Sequence, residues 1–234
     1  ALSAIDIAQS SGFSNFNIDL MHGLPNQSIA NAINDIEIAV SSGASHISWY
    51  QLTIEPNTEF FSRPPLLPVD DRLADIQQSG LNIIKKNNYS QYEVSAFARN
   101  GQKSRHNVNY WQFGDYLGIG AGAHGKITIP EDNQVIRTTK TRQPKDYLNR
   151  EGSPLAKKTE ISKEDIILEF MMNGLRLNNG VPTHYLSSRT GLDEKSIKQK
   201  VSKLQSQGLM ESSALRYQTT SLGYQFLNTV LQSF

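Results

Sequence analysis

Two short apolar runs flank a helical repeat near the start of this chain, and that alternation constrains the fold more than any other feature of the sequence. Residues 16–21 (FNIDLM) and 46–52 (HISWYQL) are rich in apolar, β-branched and aromatic side chains and predict buried strands. Between them Ile29, Ala32, Ile33, Ile36, Ala39 and Val40 recur at helical spacing, and Gly43 supplies a stop. A strand, a helix and a strand in so short a span make a parallel pair joined by a crossover. The pattern then repeats. Asp70 and Asp71 open a second helix, where the helix dipole favours acidic groups, and it runs to Asn87. Residues 92–97 (YEVSAF) and 116–121 (YLGIGA) predict a third and a fourth strand. The expectation is an α/β fold with a parallel sheet, right-handed crossovers and strands buried on both faces. A closed barrel needs more strands, and those would have to precede Ala1. Pro56, Pro64, Pro65 and Pro68 forbid a regular helix in the 54–69 connection.

The chain opens on Ala1 inside a helical pattern, with Leu2, Ile5 and Ala8 on one face and Gly12 as its stop, so it reads as the end of a longer helix in a longer protein. Residues 127–138 predict a β-hairpin turning at 130–133 (PEDN), and the later part of the polar stretch 137–158 reads as a linker. A first domain over 1–150 and a second over 151–234 follow. In the second, helices are expected over 163–177 (Ile166, Ile167, Phe170, Met171 and Leu175 inward), 183–189 and 194–207. Short strands at 209–210 and 217–220 and a last helix from Ser221 complete a winged-helix-like module.

Composition narrows the function classes. Hydrophobic residues make up 38% of the 234 and charged residues 19%, which is the balance of a soluble globular chain. The formal charge of +1 gives no global electrostatic case for nucleic acid or a membrane surface. There is no apolar run long enough for a transmembrane helix and no signal-peptide pattern at the start. With no cysteine, this chain has no disulfide, thiolate nucleophile or cysteine-held metal or iron–sulfur site, and a cytoplasmic location is expected.

Several groups could carry chemistry. Asp19 is a carboxylate within an apolar run, either facing a ligand near a strand end or bonded to backbone. His22 in the following turn could face the same space or simply face solvent. Gln51 and Thr53 end the second run, and Glu93 and Ser95 sit in the third, so a polar pocket is one reading and ordinary strand-end polarity the other. Gly118, Gly120 and Gly122 alternate in LGIGAGAHG and would strip one face of a strand for close approach by a ligand or another backbone, with His124 beside it. The spacing is not that of a dinucleotide fingerprint. The stretch 104–111 (SRHNVNYW) concentrates His106, Asn107, Tyr110 and Trp111. An imidazole there could ligate a metal or haem iron, with the aromatics stacking on a flat ring. Alternatively, the aromatics anchor a loop. Lys195, Lys198, Lys200 and Lys203 could enter a DNA groove, but ten Lys and Arg stand against eight Asp and Glu over 151–234, which favours a solvated face.

Taken together, NIDLMHGLPNQS, HISWYQLTIEPNT, YEVSAFAR, RHNVNYW, FGDYLGIGAGAHGKI and RTTKTR resemble the HemW-like haem chaperones. These are relatives of the oxygen-independent coproporphyrinogen III oxidase HemN in the radical S-adenosylmethionine (SAM) superfamily. The resemblance covers essentially the whole chain and implies the C-terminal part of a partial (β/α)6 barrel followed by a small helical domain. It implies a SAM pocket to which Asp19, Met21, Gln51, Thr53, Gly118 and Gly120 contribute. It also implies a haem motif of His106, Asn107, Tyr110 and Trp111, with His106 as the candidate iron ligand. The family's 4Fe–4S cluster is held by a CxxxCxxC motif that this chain lacks, so the chain as it stands should not cleave SAM. His22 departs from the aromatic that relatives usually carry there. Haem as cargo and a haem-accepting protein, soluble or membrane-associated, are the implied partners, with no nucleic acid. An unpaired strand edge near Asn17 offers a route to a dimer. The rival functions are oxidative decarboxylation of coproporphyrinogen III and a winged-helix nucleic-acid module.

Overall fold

A computed structural model of the chain describes residues 2–234, so Ala1, where the sequence opens, lies outside the described residues. The chain divides into two compact units, Ala1–Ser104 and Arg105–Phe234.

In the first unit α1 (Leu2–Ser10) leads to β1 (Asn17–His22), α2 (Ile29–Ser41) and β2 (His46–Gln51). The crossover is as expected: β1 and β2 pair in parallel, with Asn17 opposite His46 and Asp19 opposite Ser48. Ser28 caps α2, accepting from the Asn31 N–H while the Asn31 side chain accepts from the Ser28 N–H. The prolines of the connection leave room for one helical turn, α3 (Glu59–Ser62), which the sequence reading excluded. Thr58 caps it, and it ends ahead of Pro64. The long helix α4 (Asp70–Lys86) begins on two aspartates and ends on two lysines.

The predicted third strand is instead a hairpin, β3 (Ser90–Glu93) and β4 (Ala96–Ala98), and β4 runs antiparallel to β2, so the sheet order is β1-β2-β4-β3 and the sheet is mixed. The cause is local. Glu93 Oε1 accepts from both the N–H and the hydroxyl of Ser95, and this closes a turn where an extended strand would have run on. Burial on both faces holds for residues 46–49 of β2 and for β4, but not for β1. One face packs Ile47, Trp49 and Phe97 against Ala32, Ile36 and Ala39 of α2 and Ile76 and Ile84 of α4. On the other, Asn17, Asp19 and Met21 are exposed in strict alternation.

The second unit opens with α5 (Arg105–Trp111). A three-stranded antiparallel sheet of β5 (His124–Ile129), β6 (Gln134–Lys140) and β7 (Leu155–Glu160) follows, with α6 (Pro144–Asn149) between its last two strands. The hairpin turns at residues 130–133 as expected, with Asn133 left-handed. Two expectations fail here. Residues 116–121 form no strand, because Gly120 and Gly122 take positive φ, and only Tyr116 bridges, to Lys126. Residues 155–160 are a strand and not a linker. They pair with β6 through the backbone while their polar side chains stay exposed, so no apolar alternation marks them.

The remaining helices are α7 (Lys163–Gly174), α8 (His184–Thr190), α9 (Lys198–Ser206), α10 (Ser221–Gln225) and α11 (Leu227–Leu231), with β8 (Val181–Pro182) paired to β9 (Arg216–Tyr217). Ser162 caps α7 by accepting from the Asp165 N–H, and Ile166, Phe170, Met171 and Leu175 are buried as expected. The helix expected over 194–207 is a 3-10 turn (Glu194–Ser196) and then α9, so its four lysines do not share one regular helix. The last helix likewise breaks, at Phe226. Met210 bridges Thr219 in place of the strand expected at 209–210.

Candidate functional site

In the first unit the face of the sheet opposite α2 and α4 gathers polar groups. Asn17 Nδ2 donates to Asp19 Oδ1 at 2.8 Å, so the carboxylate expected to need donors has one and is exposed as well. Ser48 Oγ donates to Asn17 Oδ1 at 3.0 Å, and His46 Nδ1 lies 2.6 Å from that same oxygen. His46 Nε2 lies 2.7 Å from the Tyr92 hydroxyl. Burial lowers the His46 pKa, against the raising effect of the Glu93 and Asp19 carboxylates. Burial raises that of Tyr92 to about 12. Met21 pairs with Tyr50 in the register, and both are exposed on this face.

Gln51 does not join them. It pairs with His22 on the opposite, helix-covered face and lines a small cavity of about 110 Å³ with His22, Trp49 and Ser95. His22 is neither exposed nor on the ligand face. It is 3% exposed, its ring lies 4.1 Å from that of Trp49, and its Nδ1 has no hydrogen-bond partner among the described residues. Desolvation lowers its pKa to about 4. Thr53 lies beyond the strand, exposed, donating to Glu55 at 3.0 Å.

In the second unit the 104–111 motif is helical from Arg105, and it divides by face. His106 and Tyr110, one turn apart, form an edge-to-face pair at 4.6 Å, and Tyr110 packs on Tyr116 at 4.3 Å. Arg137 donates to the Tyr116 hydroxyl at 2.7 Å and pairs with Glu169. His106 is exposed and is thus the outer end of an aromatic row braced from within. Trp111 lies on the neighbouring face of the helix. The Arg176 guanidinium lies over its ring at 4.4 Å, and its Nε1 is buried without a partner among the described residues, as for a packing anchor. Asn107 is half-buried on that side.

What holds α5 in place is a group that the sequence reading missed. Lys126, 1% exposed, bonds Asp115 at 2.8 Å, the Phe113 carbonyl at 3.0 Å and Thr128 at 3.0 Å, and lies 4.2 Å from the Phe113 ring centroid. All three ammonium donors are thereby used. Phe113 follows α5 with φ of +59°, costly for a bulky residue, so this knot fixes a strained exit from the helix. Asp115 is desolvated, but the hydrogen bonds from Lys126 and Thr128 prevail and lower its pKa. Its carbonyl accepts from Asn109, and a Cβ at Gly114 would fall 2.0 Å from Asn109 Oδ1, so a side chain there would displace the amide from this bond.

Gly118 is needed for backbone approach, since a Cβ would fall 2.2 Å from the His124 carbonyl oxygen. Gly120 faces open space, and its N–H donates to the Tyr147 hydroxyl at 3.2 Å. Leu117 and Ile119 between them are 75% and 85% exposed. His124 is exposed, near Thr139 at 3.3 Å. Among the described residues no group of three or more His, Asp or Glu side chains could hold a metal ion, and no helix is long and apolar enough to cross a membrane. A cavity of about 780 Å³ between α8 and α9 is lined in part by Lys195 and Lys198 but by none of the candidate SAM or haem residues.

The HemN C-terminal domain family matches residues 161–226. The haem chaperone HemW of Haemophilus influenzae is 45% identical to this chain over 234 residues, which is 100% of this chain and 60% of HemW. HemW of Escherichia coli is 44% identical over 100% of this chain and 61% of its own length, and HemW of Bacillus subtilis is 30% identical over 99% and 62%. The fold is that of Escherichia coli coproporphyrinogen III oxidase HemN, described as a radical SAM enzyme, with a TM-score of 0.74 and 18% identity over 99% of this chain and 57% of HemN. The chain thus spans about 60% of the length of the curated relatives it matches. Along its full extent the chain is similar to the C-terminal 60% of the HemW-like, HemN-related proteins.

Proposed function

We propose that this chain handles haem for delivery to a haem-accepting protein, with α5 as the place where the porphyrin meets the protein. The observation that carries this reading is the exposed His106 ring at the end of the His106–Tyr110–Tyr116 row, in a chain 45% identical to a protein named for haem chaperoning. A porphyrin iron already has four nitrogen ligands, so a single imidazole suffices to bind it and no cluster of protein ligands is needed. Tyr110 and Tyr116 offer aromatic surface to a flat ring. Asn107 and Trp111 support the helix from its inner side.

SAM fits the sheet face of the first unit opposite α2 and α4. The Asp19 carboxylate would accept from ribose hydroxyls or from the amino group, with Met21 beside it. Thr53 remains a proposed contributor within the same unit, while Gln51 is turned toward His22. SAM bound to a reduced cluster supplies a carbon radical in this superfamily. The cluster itself does not fit this chain, which has no cysteine, and no step is drawn through it. A cytoplasmic setting belongs to the same proposal.

Titration with haemin, followed in the Soret region, tests it. The chain should give a saturable spectral change. His106→Ala should weaken binding about tenfold, the loss of about 1.4 kcal/mol, and alter the bound spectrum. A variant with unchanged affinity and spectrum removes His106 as a ligand.

A further inference from the structure

The polar groups on the sheet face of the first unit form one directed chain. The Ser104 N–H donates to the Tyr92 hydroxyl oxygen at 3.3 Å. Tyr92 lies 2.7 Å from His46 Nε2, His46 Nδ1 lies 2.6 Å from Asn17 Oδ1, and Asn17 Nδ2 reaches Asp19 Oδ1 at 2.8 Å. The direction is dictated by chemistry. An ionised carboxylate only accepts, so Asn17 must turn its amide nitrogen to Asp19 and its oxygen back toward His46. That oxygen only accepts, so the His46 proton sits on Nδ1 and Nε2 accepts from Tyr92. Ser48 supplies the second hydrogen bond to the Asn17 oxygen at 3.0 Å.

His46, Ser48 and Tyr92 are buried, whereas Asp19 is exposed. A network serving the core alone would close on itself. This one ends at one oxygen of an exposed carboxylate, and the other oxygen, Oδ2, has no hydrogen bond among the described residues. We infer that Asn17, His46 and Tyr92 are positioning residues that hold Asp19 with Oδ2 presented to the hydroxyl or ammonium donors of a ligand on this face. The inference rests on the reading of Asp19 as a SAM contact. An acceptor already oriented loses less freedom when the ligand arrives, so the relay acts on affinity without touching the ligand.

Two measurements on the chain and on its Asp19→Asn, Asn17→Ala and Tyr92→Phe variants test this. Without ligand, ¹⁵N NMR of the histidine rings should show neutral His46 with its proton on Nδ1, and Tyr92→Phe should move both the His46 Nε2 and the Asn17 side-chain amide signals. In calorimetric titration with S-adenosylhomocysteine, Asp19→Asn, Asn17→Ala and Tyr92→Phe should each lose about tenfold in affinity while remaining folded by circular dichroism. A His46 proton on Nε2 overturns the relay. So does a Tyr92→Phe chain with wild-type affinity when Asp19→Asn has lost it. Wild-type affinity in Asp19→Asn, or no binding by the unaltered chain, overturns the reading of Asp19 as a ligand contact and the positioning role with it. The NMR result then still records whether the relay exists, so the two failures are distinguishable.

Discussion

His22 carries a stability cost that depends on pH. Packed on Trp49 with an unsatisfied Nδ1, its imidazole is held neutral down to about pH 4 by desolvation, against an ordinary value of 6.5. Below pH 6.5 the unfolded chain takes up a proton that the folded chain refuses until pH 4, so stability is fully present above that window and falls as pH falls through it. The loss should approach about 3 kcal/mol. His22→Phe keeps a ring on Trp49 and removes the titration, so denaturant melts between pH 4 and 6.5 should show a flatter acid limb than the parent chain. At this scale the sequence was only partly legible. A histidine after an apolar strand looks like a turn residue until the register puts it on the covered face. His46 gave no signal at all, because its partners Asn17 and Tyr92 lie 29 and 46 positions away and meet it only through strand pairing. Lys126 was hidden for the same reason, as a cation within HGKITI whose partner Asp115 is 11 residues back. Asp19 and His106 stood out by residue type, but Met21 and the choice of His106 as a candidate ligand came only from the family resemblance.

Among the elements, α4 and β2 are locked by a single missing side chain. Gly80 lies inside α4, where alanine would ordinarily gain about 1 kcal/mol of helix stability. A Cβ there would fall 2.0 Å from the Trp49 ring, which is itself buried between helix and sheet. Overpacking outweighs propensity at such a contact, so Gly80→Ala should destabilise the chain by about 2 kcal/mol or more in chemical denaturation, the opposite sign to a helix-propensity forecast. Periodicity revealed α2 and α7 because one face of each is apolar, while α4 was marked by the two aspartates at its start. It failed for β7, whose pairing is carried by the backbone, and for residues 116–121, where glycine conformations override an apolar composition. The 90–98 hairpin was missed because its turn is made by one side chain, Glu93, and not by a glycine or proline.

For the whole molecule, relatives and composition point in different directions on chemistry. The HemN-like fold belongs to a radical SAM enzyme, yet this chain has no cysteine. Anaerobic incubation of the chain with iron, sulfide, reductant and SAM should give no cluster absorption and no 5′-deoxyadenosine. Either product would show that ligands other than cysteine serve here. The haem proposal is independent of that outcome, since the second unit holds the whole of the His106–Tyr110–Tyr116 row. The exposed position of His106 then bears on timing. A haem held by an imbedded ligand leaves only when its carrier opens, at a rate the acceptor cannot change. A haem on an outward-facing imidazole can be approached by the acceptor's own ligand while still bound. Exchange would then be bimolecular, its rate would climb with acceptor concentration, and little haem would be shed into solution between one protein and the next.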